Sequence, residues 1–156
     1  MKKALLLLAI GLCLSAIAFA GIDFSGTWVF DAAKSDQPGG GGGGGGRGGG
    51  PPTDLTIKQT GTELTITTTM GENTIETKYV MDGADHTNTS QMGDLKYKAV
   101  LSSDTMTVTG TRTTQRGDQP VKVAYTLSAD GKVLTVATTR QGQSGETVRK
   151  QVYNKK

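Results

Sequence analysis

The chain has 156 residues, the length of one ordinary domain. It carries 17 lysines and arginines against 14 aspartates and glutamates, with one histidine and one cysteine. With Lys2 and Lys3 set aside as part of an export leader, the near-even balance leaves no electrostatic footprint for nucleic acid or anionic lipid.

Residues 1–20 read as a cleaved export signal. Lys2 and Lys3 precede an uncharged apolar run from Ala4 to Phe19, and Ala18-Phe19-Ala20 gives the small-x-small pattern a signal peptidase cuts. The run is short for a spanning helix, which needs ~20 residues. A lipid anchor on Cys13 would want a small residue before it, where Leu12 stands. Cutting after Ala20 removes Cys13, so disulfides and thiolate metal sites are excluded from the remainder. It also removes Lys2 and Lys3, leaving 15 basic residues against 14 acids. The expected location is the periplasm or the exterior, with no integral membrane anchor after cleavage.

Phe24 to Phe30, holding the only tryptophan, Trp28, read as a first strand. Asp31 to Asp36 could form one short helical turn. A Gly/Pro-rich stretch follows at 37–52, expected to be a flexible solvated loop. It lacks the Lys-Ser/Thr of a phosphate loop, and one Arg-Gly-Gly is too little for an RNA-binding tail.

From Thr53 onward the apolar period is two. Leu55 and Ile57, then Leu64 and Ile66, alternate with threonine and lysine. Ile75 and Tyr79 mark the next run, and Leu95, Tyr97, Ala99 and Leu101 the one after His86. Met106 and Val108 follow, then Val121, Val123, Tyr125 and Leu127, then Leu134 and Val136. On the last run Val148 and Val152 flank Lys150. Threonine fills many outward positions, where a β-branched polar side chain suits an exposed pleated face. Thr60-Gly61, Asp82-Gly83, Gly93-Asp94, Gly117-Asp118 and Asp130-Gly131 supply hairpin turns. No gap after Pro52 has room for a crossover helix, so neighbouring strands pair antiparallel as a meander. The expectation is an all-β up-and-down meander of about 8–10 strands, closed into a barrel that removes exposed edges. A β-sandwich is the alternative. Residues 21–156 form a single domain in either case.

Gly26-Thr27-Trp28 at the head of such a meander resembles the Gly-x-Trp signature of the lipocalin and calycin group, which includes the fatty-acid-binding proteins. Phe24 to Trp28, Asp130-Gly131-Lys132 and Val148 to Tyr153 are similar to small secreted bacterial lipocalin-like proteins. The resemblance implies that Trp28 seals one end of the barrel and that a cation near the end of the last strand, at the position of Arg149, packs on its ring. Gly26 belongs to the same closure. Polyglycine stands where fatty-acid-binding proteins carry a helical lid, and the extracellular lipocalins' disulfide is missing.

No catalytic constellation is readable. Asp82, Asp85 and Asp94 belong to turn chemistry, and His86 is the only base for any nucleophile. One histidine also falls short of the three or four protein ligands zinc takes. His86 reads as a surface strand residue, and Arg116-Gly117-Asp118 as a turn. No cofactor and no metal are expected. Tyr79, Tyr97 and Tyr125 fall on the apolar phase and could line a ligand cavity or fill a narrow core. Arg112 and Arg140 extend past the apolar stretches of their strands, where they could anchor a carboxylate at the mouth or lie in solvent. The expectation is a non-enzymatic lipocalin-like protein binding a small apolar or amphipathic ligand. The alternative is a structural or interaction module of the cell envelope, with a packed core and no such ligand.

Overall fold

Alternating threonine and apolar side chains force each strand to hide one face, and with no helix to cover that face the sheet must curl over itself. The structure, a computed structural model, describes residues 21–36, 54–70, 73–90, 93–115, 117–142 and 145–156. The expected export signal at 1–20, the Gly/Pro-rich loop at 37–52 and Arg116 lie outside them.

Ten strands follow in order: β1 (Gly26–Phe30), β2 (Leu55–Thr60), β3 (Glu63–Met70), β4 (Asn73–Val80), β5 (His86–Ser90), β6 (Gly93–Ser102), β7 (Thr105–Thr114), β8 (Gly117–Leu127), β9 (Val133–Gly142) and β10 (Gly145–Lys155). All pair antiparallel in one sheet of order β4-β3-β2-β1-β10-β9-β8-β7-β6-β5. First and last strands therefore meet, Trp28 opposite Lys155 and Phe30 opposite Tyr153, and the sheet becomes a nearly closed barrel. The up-and-down barrel, not the sandwich, is the fold, and the described residues contain no helix.

Closure is incomplete at one place. β4 and β5 end the sheet and share no hydrogen-bonded ladder among the described residues. Side chains stitch this seam instead. The Tyr97 hydroxyl accepts from the Val80 amide at 3.2 Å and lies 3.4 Å from the Lys78 carbonyl, to which Asn88 Nδ2 also donates. Buried backbone groups need partners, and here tyrosine and asparagine stand in for a strand.

Asp31 to Asp36 form turns rather than a helix, and they extend the work of β1 along β10. The Asp31 amide donates to the Val152 carbonyl, the Asp36 amide to the Lys150 carbonyl, and the Lys150 amide to Asp36 Oδ2 at 2.7 Å.

The core sits toward the end where β2 turns into β3, β6 into β7 and β8 into β9. Phe24, Trp28, Leu64, Met106, Val108 and Leu134 are all 0% exposed there. At mid-barrel, Gly110 of β7 lies opposite Tyr97 of β6. A Cβ on Gly110 would meet the Lys96 carbonyl oxygen at 2.1 Å, so only glycine permits the close approach of these strands.

Candidate functional site: the inward face and the seam

Register assigns each strand residue to the barrel's inside or outside, because side chains alternate and directly opposed residues share a face. Tyr79, Tyr97 and Tyr125 all point inward and are buried, as expected from the apolar phase. They are joined by Tyr153, opposite Leu134, so all four tyrosines of the chain lie inside. Tyr79 packs edge-on against Tyr97, ring centroids 5.2 Å apart, and tilted against Tyr125 at 6.4 Å. Tyr79 and Tyr125 also share a hydrogen bond. Burial pushes the Tyr125 hydroxyl well above the usual phenol range, reinforced by Tyr79 beside it. Burial raises Tyr79 too, partly countered by the Arg112 cation, and pushes Tyr153 up to about 12, partly countered by Arg149.

The arginines follow the same face. Arg112 is opposite Leu95 and Gln119, Arg149 opposite Thr138, and Arg140 opposite Thr147. All three are on the inward phase in the half away from Trp28; Arg112 and Arg149 are half-buried and Arg140 is exposed. Lys58, Lys78, Lys96, Lys98, Lys122 and Lys150 are outward, and so is every carboxylate of the described strands: Glu63, Glu76, Asp94, Asp118 and Glu146. The Nε atoms of Arg112 and Arg149 are sealed from solvent without a hydrogen-bond partner. The inward phase of the described strands thus carries arginines and no carboxylate.

Arg149 is therefore not the cation on the indole. Its register on β10 carries it into the barrel, while Lys155, opposite Trp28, holds its Nζ 5.3 Å from the indole ring centroid. Gly26 explains the glycine two residues before the tryptophan. Its φ of +145° is glycine's territory, and a Cβ there would lie 2.8 Å from Cε of Lys155. The bare backbone leaves the path along which the lysine stem reaches the ring. Trp28 itself is fully buried, and its Nε1 donates to the Phe24 carbonyl at 2.9 Å. Gln59, a polar residue on the apolar phase of β2 that no local pattern marks, ties this end shut: its side chain accepts from the Phe24 amide and donates to the Ile22 carbonyl, both at 3.0 Å.

On β10 the valines are not the inward set. Val148 is 50% exposed, and Arg149, Gln151 and Tyr153 face inward. Pairing with β9 dictates this, since Tyr153 must follow Leu134 to the inside.

His86 is a half-exposed strand residue, as expected, and stands on the inward phase of β5. It stands opposite Tyr97, their ring centroids 5.7 Å apart, and its Nε2 lies 2.9 Å from Asp82 Oδ1. With Glu63, Lys78, Asn88 and Tyr97 it lines a cleft of about 190 Å³ at the seam. The Ala84 amide, and then His86, hold the Asp82 carboxyl below the usual range. Among the described residues no group of three or more His, Cys, Asp or Glu is placed to hold a metal ion.

No protein-family model and no curated protein sequence matches the chain. Solved structures do. A structure described as the REP1-NXSQ fatty acid transporter superposes with a TM-score of 0.62 at 14% identity, over 85% of this chain and 96% of that one. Apo Caenorhabditis elegans lipid binding protein 8 gives 0.58 at 8% identity, over 85% and 95%. Human cRBP IV gives 0.57 at 16% identity, over 87% and 100%. At such identities the likeness is one of fold.

Proposed function

We propose that this chain is an exported, non-enzymatic binding barrel whose ligand is a small amphipath with an anionic end. The observation that carries the reading is the sign of the interior. Three arginines project inward and no carboxylate of the described strands accompanies them. Arg112 and Arg149 each keep an Nε sealed from water without an acceptor, an unpaired buried donor is costly, and the guanidinium stays charged. A ligand's anion offsets that cost. Beside the arginines, Tyr79 and Tyr125 supply apolar ring faces and hydroxyl donors, the mixture that ligand pockets use. That a fatty acid transporter and a lipid binding protein share the fold supports the same reading.

In this scheme Arg112 and Arg149 hold the anionic end, Arg140 waits at the mouth, and Tyr79, Tyr97 and Tyr125 line the wall. Gly26, Trp28 and Lys155 close the far end. The leader at 1–20 carries the chain out of the cytoplasm and is removed after Ala20, leaving the barrel in the periplasm or outside the cell. N-terminal sequencing of the exported chain should begin at Gly21; a retained leader would refute that part.

The test of binding is native mass spectrometry of protein purified from an exporting host, followed by displacement of a fluorescent fatty acid. A co-purified mass of lipid size and saturable displacement are expected. Neither signal would favour a packed module of the cell envelope that works through its outer surface.

A further inference from the structure

The paired interior arginines also speak to the ligand's charge, provided the ligand-binding reading above holds. Arg112 and Arg149 each keep a buried Nε without an acceptor. Their strands, β7 and β10, are separated by β8 and β9. Arg149 is level with Val108 through Thr138 and Val123, four residues along β7 from Arg112. Three strand spacings of ~4.8 Å across and four residues of ~3.3 Å along set their backbones ~20 Å apart along the wall. The two guanidiniums therefore reach a ligand from different sides rather than as one fork. A guanidinium cannot shed its charge when partly buried, as a lysine can, so an anionic acceptor at each sealed Nε would offset its unpaired donor. One carboxylate supplies a single negative charge for two such cations, and the outward phase of every described strand carboxylate leaves none from the protein.

We infer that the barrel prefers an amphipath carrying two negative charges, such as a phosphomonoester or a dicarboxylate, over a simple monocarboxylate, with Arg112 and Arg149 as its two anchors. A compact dianion would have to draw both side chains toward it across the lumen. A molecule with separated carboxylates would span from one anchor to the other.

Matched twelve-carbon probes decide this: dodecanoate, dodecanedioate and dodecyl phosphate, titrated calorimetrically into the intact exported protein at about pH 8, where a phosphate monoester with a second pKa of about 6 is doubly charged. At least one dianion should bind about tenfold or more tighter than dodecanoate, the increment of one added charge-assisted hydrogen bond. The phosphate should lose that advantage at about pH 5, where it carries a single charge. Arg112→Gln and Arg149→Gln should each bring the dianion-to-monoanion ratio close to one, with far-UV circular dichroism checking that the variants fold. Dodecanoate binding as tightly as both dianions to the unmodified protein would overturn this inference and leave the binding reading standing. Binding of none of the three would overturn both. If the diacid wins over the phosphate, the anchors act at separate points; the reverse order means one headgroup meets both.

Discussion

Replacing Trp28 with alanine tests the architecture at its most buried point. The side chain is 0% exposed and lies in a cluster with Phe24, Leu64 and Leu134, each also 0% exposed. Truncating such a residue costs about 3–5 kcal/mol through lost transfer energy and the cavity left behind. Its Nε1 hydrogen bond to the Phe24 carbonyl is broken as well, and an orphaned buried acceptor adds about 1–3 kcal/mol unless water enters. The Lys155 cation over the ring contributes only about 0.5–1 kcal/mol, because it lies at an exposed strand end. These effects overlap, so the expected loss is about 4–5 kcal/mol, a large share of a total that for most domains is about 5–15. At this chain length it should lower Tm by about 12–18 °C. Urea unfolding followed by far-UV circular dichroism is the suitable assay, because the variant has no tryptophan to report fluorescence. Trp28→Phe keeps most of the buried ring and loses the N–H, and should cost about 1–2 kcal/mol. A loss below about 1 kcal/mol for alanine would refute the burial of the indole and the closure built on it.

Lys155→Ala should destabilise by about 0.5–1 kcal/mol, and a double-mutant cycle should couple it to Trp28. Arg149→Ala should show no coupling to Trp28 and be neutral or stabilising in the ligand-free protein, since it removes a half-buried cation whose Nε is sealed without an acceptor; strong coupling would return the indole's cation to Arg149. Tyr97→Phe removes the hydroxyl that bridges the seam, and should cost about 1 kcal/mol. Its clearest readout is hydrogen exchange: the Val80 amide should lose protection while β8 and β9 keep theirs, and uniform change across the sheet would deny the seam a local role. Stability should fall at alkaline pH. Tyr153 titrates at about 12 in the folded chain, and Tyr79 and Tyr125 are also raised, against about 10 when unfolded. Between those values the unfolded state has released protons that the folded state retains, so stability is fully present below about pH 10 and drains away toward about pH 12. Urea midpoints compared across that window, with tyrosinate absorbance followed in parallel, check the sign; a flat midpoint would refute it.

The meander was legible because two independent signals agreed: apolar residues at every second position, and turn-formers at spacings too short for a crossover. Leu55 and Ile57, or Leu134 and Val136, point inward as their pattern says. The inward face of β10 was not legible, because its two faces look alike in hydrophobicity. Val148 and Val152 compete with Tyr153 alone, and local composition favours the valines. Register overrules it, since Tyr153 lies opposite Leu134 and Phe30. A reading that propagated the pairing of β9 through the turn would have found Arg149 inside. The seam left a fainter trace. β5 carries His86 and Asn88 where its neighbours carry tyrosine and leucine, and a strand without an apolar face has little to hold it in a sheet. The side-chain bonds that replace the ladder depend on how far β4 and β5 diverge, which no local pattern encodes.

These gaps in the pattern share a cause that bears on function. A chain read only for stability puts valine inside and arginine outside; this one places Arg112 and Arg149 inside. Rules of local consistency fail most often at functional positions, where strain or buried charge is tolerated because other parts of the fold offset it. Here the offset is spatially separate. Phe24, Trp28, Met106 and Leu134, fully buried, make one end of the barrel a packed apolar plug, tied by Gln59 and by the Trp28 hydrogen bond. The other half carries the arginines and Thr138, with Val121 and Val123 only partly buried. Stability concentrated at the plug lets the opposite half hold charges that would unsettle a smaller core. A ligand that neutralised them would then raise Tm with the logarithm of its concentration over Kd.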